Sequence, residues 1–186
     1  MPLRVIITGT LIFLLLLMGC KSIQNRQDQP AIPLPVTDEQ LMDVNRYLVS
    51  RDVDSIRAYT RLKGWEMTET GTGLFYQILE RRTGYRSESP LKTGDQVKMS
   101  YEIRFLDGKL VYSSRESGPR VFIVDQSESE PGLHEVARFL VPGDSARIIV
   151  PPHLGFGLVG DGDRVPARSI LVYSVRVTGV IRSSDR

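Results

Sequence analysis

The chain has 186 residues, 41% of them hydrophobic and 25% charged, which suits one domain with appendages and is too apolar for a disordered chain. With 24 basic against 22 acidic residues it carries no strong field, so nucleic acid is not expected as a partner. Its single cysteine excludes an internal disulfide and any cysteine-pair zinc or redox site.

Residues 5–18 form an apolar run preceded by Arg4 and ending in Leu17-Met18-Gly19-Cys20. A charged start, a compact apolar segment and a small residue before a cleavage point describe a secretory signal over 1–19. At about 15 residues the run is short for a membrane span, which needs ~20. The tetrad resembles a bacterial lipobox, in which Cys20 is acylated and becomes the new amino terminus. Cys20 is then an attachment point rather than a nucleophile, and its acyl chains hold the domain at a membrane. Residues 20–36 are polar and carry Pro30, Pro33 and Pro35, the composition of a tether.

Thr37 and Gln40 have capping-box spacing, and Leu41, Val44, Tyr47 and Leu48 fall on one helical face. Ile56, Tyr59 and Leu62 repeat the pattern beyond Asp52, so two short helices are expected over 38–50 and 53–63, within a helical segment 37–66. They serve either as a dimer interface or, more simply, as helices packed on the domain that follows.

From Thr70 the apolar period becomes two. Val97, Met99, Tyr101, Ile103 and Phe105 alternate with polar residues, Asp107-Gly108 signals a hairpin turn, and 109–113 returns. Further strands are expected at 74–80, 120–124, 146–150 and 170–178, with one helix over 132–140 presenting Leu133, Val136 and Leu140. The pattern specifies an α+β domain, a curved antiparallel sheet around one helix, over 70–182.

Motifs of metal and cofactor chemistry fail on their surroundings. Gly155, Gly157 and Gly160 match GxGxxG, but Asp161-Gly162-Asp163 and Pro166 follow where a helix would have to start, so these glycines shape a loop. Asp161 and Asp163 lack the remaining ligands of a calcium loop. His134 and His153 lie on different elements, without the spacing of a zinc pair. No nucleophile elbow occurs. No cofactor and no metal is expected.

The segments Val97–Tyr101, Asp107–Arg115, Phe122, Pro142–Ile148, Pro152–Gly157, Val165-Pro166 and Leu171–Val175 resemble, in order and spacing, the FKBP-type peptidyl-prolyl isomerases over about residues 71–182. Within that family, Gly132–Glu135 and Leu158–Asp161, with the lipobox and helical stretch, are similar to the gliding-motility lipoproteins of Bacteroidetes-type bacteria.

The resemblance implies an apolar hollow between sheet and helix that accepts a proline ring. Tyr101, Phe122, Phe156 and Tyr173 would wall it, Leu133 would floor it in place of the family's tryptophan, and Val165 would hold the ring. Val111, Tyr112 and Arg120 would stand at its rim. Several positions depart from the family. Phe156 lacks the hydroxyl of the usual tyrosine, Val111 and Arg120 replace aromatics, and Tyr112 replaces an aspartate. The implied activity is Xaa-Pro isomerisation in proline-containing exported polypeptides, at a membrane held through lipid on Cys20. The absence of an acidic residue after Cys20 points to the outer membrane, facing the periplasm. A non-catalytic chaperone or binding module of the same fold is the alternative.

Overall fold

In a computed structural model, residues 37–81, 89–126 and 128–185 are described. The expected signal segment, the lipidated Cys20 and the tether lie outside them. The chain opens with helix α1 (Asp38–Lys63) and strands β1 (Thr68–Glu69), β2 (Phe75–Glu80), β3 (Gln96–Phe105) and β4 (Leu110–Ser113). A short helix α2 (Ser114–Ser117), β5 (Arg120–Ile123), α3 (Pro131–Ala137), β6 (Ser145–Val150) and β7 (Leu171–Ile181) complete it. Single 3-10 turns occupy Pro152–Leu154 and Ser183–Asp185.

The seven strands form one antiparallel sheet ordered β1-β2-β6-β7-β3-β4, and β5 pairs with β3 beside β4. Ten-residue β3 takes β7 along one edge, while its other edge serves β5 over Gln96–Met99 and β4 over Glu102–Arg104. Register shifts at Ile78/Glu80, Lys98/Met99 and Ile103/Arg104 bend the strands locally. At the β3–β4 turn Gly108 has φ +90°, and Asp107 Oδ1 accepts the Lys109 N–H at 2.8 Å, so the Asp-Gly signal makes the turn the sequence predicts.

Each face of the sheet is covered. On one, Leu133, Val136 and Ala137 of α3 join Met99, Ile103, Ile148, Tyr173 and Val175 in the main core. On the other, Val53 and Ile56 of α1 pack with Phe75, Ile149 and Val172 in a second cluster. Among the described residues no helix is long and apolar enough to cross a membrane.

The structure departs from the sequence reading in several places, among them the short helix α2 and the extension of β7 to Ile181. The two helices expected over 38–50 and 53–63 are one, because Asp52, which reads as a break, lies on the buried face and is ion-paired. Arg168 Nη2 meets its Oδ2 at 2.8 Å, and Val53, Ile56 and Thr60 continue the buried stripe. Helix α3 stops at Ala137 rather than at 140; Phe139 and Leu140 N–H groups bond to the Val136 and Ala137 carbonyls in a tighter turn. Strand β1 is too short, at two residues, to leave a periodic signal.

Candidate functional site

Strand alternation decides which side chains reach the α3 face. In β5, Arg120 and Phe122 share that face while Val121 between them is exposed. Their partners in β3 are Met99 and Val97, two and four positions before Tyr101. Ile103 is paired with Tyr173 across β3–β7, which sets the Tyr173 ring in the same layer. Leu133 arrives from α3, and Phe156 and Val165 from the long loop between β6 and β7.

The six residues expected to form the hollow are therefore in one cluster. Phe122, Leu133, Val165 and Tyr173 are buried, while Tyr101 and Phe156 pack against them half-exposed. Four of the six are thus core residues, and the two partly exposed rings stand at the edge of the cluster. Of the three residues expected at the rim, Tyr112 and Arg120 are half-buried, but Val111 is only 4% exposed. Val111 is a core residue. Alternation in β4 turns it inward with Ser113, and its carbonyl accepts Arg164 Nη1 at 3.1 Å.

The surroundings of these residues are not wholly apolar, as the sequence suggests they would be. Arg120 reaches across to Glu130, the residue before α3, and Nη1 ion-pairs with Oε2. Its guanidinium also lies 5.6 Å from the centre of the Tyr101 ring. The Tyr173 hydroxyl donates to the other Glu130 oxygen at 3.3 Å. Burial works against the Arg120 charge, yet the Glu130 carboxylate outweighs it and raises the pKa, so Arg120 stays cationic. Burial, reinforced by the Glu130 charge, pushes the Tyr173 phenol well above its ordinary value, so it remains a donor.

Tyr112 is held by the β6–β7 loop. Its hydroxyl donates to Asp161 Oδ2 at 2.5 Å, and the Arg164 guanidinium lies 5.2 Å from its ring centre. The Asp161 hydrogen bond, with burial adding, pushes the Tyr112 phenol up to about 12. The other Asp161 oxygen accepts the N–H groups of Asp163 and Val165, at 2.9 and 2.8 Å. Gly157, Gly160 and Gly162 all have positive φ, and a Cβ on Gly160 would fall 2.0 Å from the Val165 carbonyl oxygen. The glycines are loop-shaping, and Asp161 is a turn-builder that fixes Val165. The two histidines are structural: His153 Nε2 donates to the Thr72 carbonyl at 2.9 Å, and His134 Nδ1 accepts the Asp125 N–H at 3.1 Å.

Glu130 and Asp161 escape a sequence-based site list. An acidic residue before Pro131 reads as a helix start, and Asp161 reads as part of a loop. The available signal is a charge, Arg120, at an inward strand position, since a cation there requires a counter-charge from elsewhere in the fold.

Comparisons with known proteins agree with this geometry. A family model for FKBP-type peptidyl-prolyl cis-trans isomerase matches residues 87–178. The chain is 31% identical over 90 residues to FK506-binding protein 2 of Dictyostelium discoideum, covering 48% of this chain and 68% of that one. It is 31% identical over 125 residues to a "Probable FKBP-type peptidyl-prolyl cis-trans isomerase" of Haemophilus influenzae, covering 67% of this chain but 49% of that protein. The chain thus spans about half the length of that bacterial relative. Its fold matches the crystal structure of FkpA from Escherichia coli with TM-score 0.58 and 23% identity, over 80% of this chain and 75% of that one. It matches the crystal structure of AtFKBP13 with TM-score 0.57 and 21% identity, over 62% of this chain and 99% of that one. The chain belongs to the FKBP-type peptidyl-prolyl cis-trans isomerase family.

Proposed function

We propose that this protein is a peptidyl-prolyl cis-trans isomerase of the bacterial cell envelope, anchored through lipid on Cys20 and acting on exported polypeptides. The observation that carries the activity is the convergence of Tyr101, Phe122, Leu133, Phe156, Val165 and Tyr173 in one cluster, with four of them buried and two partly exposed at its edge.

Rotation about a prolyl amide is slow because resonance is lost on the way, at a barrier near ~18–20 kcal/mol. The planar amide is the more polar state, and water favours it. An apolar site that excludes water and fits the twisted form lowers the barrier with no nucleophile, metal or proton transfer. Each ~1.4 kcal/mol of preference for the twisted form gives tenfold in rate. Here Leu133 and Phe122 would seat the proline ring, Val165 would bound it, and Tyr101 and Phe156 would cover it.

A protease-coupled assay with an Xaa-Pro peptide tests the activity. Turnover above the uncatalysed rate is expected, and a folded protein without it would leave the second function, a binding or chaperone module. What favours that second function is specific: an ion pair occupies part of the hollow, and Tyr112 is committed to Asp161. Both functions are compatible with service in a gliding-motility apparatus, which the lipobox, the helical stretch and the 132–135 and 158–161 segments support. Anchoring is tested by acyl-label incorporation, expected in the wild type and absent in Cys20→Ala. Outer-membrane placement is tested by fractionation with protease shaving of intact cells, where protection is expected.

A further inference from the structure

The Arg120–Glu130 pair is asymmetric. The Glu130 side chain is 7% exposed and that of Arg120 is 31%, so the carboxylate is the inner member and the cation the outer one. Both Glu130 oxygens are engaged, one by Arg120 and one by the Tyr173 hydroxyl. Arg120 uses only Nη1; among the described residues its Nε and Nη2 donors have no hydrogen-bond partner. The guanidinium carbon also lies 5.6 Å from the centre of the Tyr101 ring. A preorganised planar cation with two spare donors therefore stands beside the residues that would hold a proline ring. Arg164, also near the rim, is more exposed and spends its Nη1 on both the Val111 carbonyl and Glu116, each at 3.1 Å.

Stability alone gives little reason for this arrangement. An ion pair half-buried among apolar groups is commonly no more stabilising than apolar residues of the same volume. Its distinctive property is the unspent hydrogen-bonding capacity of its outer charge. We propose that Arg120 is a specificity-determining residue that selects polypeptides carrying a carboxylate next to the proline, Glu-Pro or Asp-Pro above all. A carboxylate would accept from Nε and Nη2 in a bidentate fashion, leaving the Nη1–Glu130 contact intact. A lysine at the same place in the substrate would meet like charge. The inference rests on the proposal that the hollow binds Xaa-Pro segments, and it names the class of segment.

The test uses the full chain and a peptide series with Glu, Gln, Leu or Lys before proline, read both as isomerisation kcat/KM and as binding by titration. Glu-Pro is expected to exceed its isostere Gln-Pro by about three- to tenfold at low salt in binding, and in kcat/KM where turnover occurs. The advantage is expected to shrink towards about one at ~1 M salt, where charges are screened within ~3 Å. In Arg120→Met combined with Glu130→Gln, which removes both charges and keeps an acceptor for Tyr173, the Glu/Gln ratio is expected to be about one. If that variant does not fold, the salt dependence of the wild-type ratio decides. Turnover of Leu-Pro with equal binding and turnover of Glu-Pro and Gln-Pro would overturn the inference and leave the isomerase standing. Preferential Glu-Pro binding without turnover of any peptide would uphold the inference and remove the enzyme. A salt-insensitive Glu preference, or one that survives the double variant, would show that Arg120 is not its source.

Discussion

At the scale of single residues, the site divides into groups that pack and groups that hold one another. Phe156 packs: it lies partly exposed at the edge of the cluster, and in the proposed function it covers the hollow. Phe156→Ala is expected to lower kcat/KM at least about tenfold, an effect of ~1.4 kcal/mol on the barrier, with a near-native denaturation midpoint. Tyr112 holds, and its phenol, pushed up to about 12 by the Asp161 hydrogen bond, ties stability to pH on the alkaline side. A phenol whose folded pKa lies above the unfolded value near ~10 contributes fully below ~10, and its contribution is lost as pH rises through about 12. Tyr112→Phe is therefore expected to be less stable at neutral pH and to show a flatter decline above pH ~10, read by urea denaturation across pH. That Tyr101, Phe122 and Tyr173 join one core cluster was legible because residues at alternating strand positions need only the strand to be right. Glu130 was not legible. Nothing local ties it to Arg120, and the contact exists only because β5 and α3 meet on one face of the sheet.

At the scale of elements, α1 and the β6–β7 loop show different dependences on sequence. Helix α1 covers the sheet face opposite α3 through Val53 and Ile56, the latter fully buried. Ile56→Ala is expected to cost about 3 kcal/mol, measured as a shift in the urea midpoint. The helix was legible as an amphipathic pattern, but its continuity through Asp52 was not, since that depends on Arg168, 116 positions downstream. The loop depends on backbone freedom instead. At Gly160, φ +76° and a would-be Cβ 2.0 Å from the Val165 oxygen leave no room for a side chain. Gly160→Ala is expected to displace Val165 and to destabilise the protein by about 2–4 kcal/mol while reducing turnover, read by denaturation and the peptide assay together.

Across the whole molecule, Asp95 fastens the segment before β3 to the segment after β7. Its carboxylate, 2% exposed, accepts the N–H groups of Lys92 and Ser183, both at 2.9 Å, and Arg182 Nη1 at 2.8 Å. Burial by itself would raise this carboxyl; the two N–H donors and Arg182 outweigh it and hold the pKa below the ordinary value. A depressed carboxyl stabilises above its unfolded pKa of ~3.9, and the stabilisation is lost as pH falls through the lower folded value. Asp95→Asn is accordingly expected to be less stable at pH ~7 and to lose less on acidification below pH ~4, followed by circular dichroism. The architecture was legible because antiparallel strands announce themselves by period and turn. The closure that joins residues 92–95 to 182–183 was not, because it is made by one carboxylate between segments with no pattern of their own.

Trp65, the chain's one tryptophan, belongs to the cluster under α1, with the Arg147 guanidinium 3.8 Å from its ring centre and the Tyr59 ring edge-on at 5.5 Å. The indole is thus on the side of the sheet away from α3. Its emission is an intrinsic gauge of whether α1 is seated, one that peptide occupancy on the opposite side leaves unchanged. Detachment of the helix can thus be followed without adding a label, whether or not peptide is present.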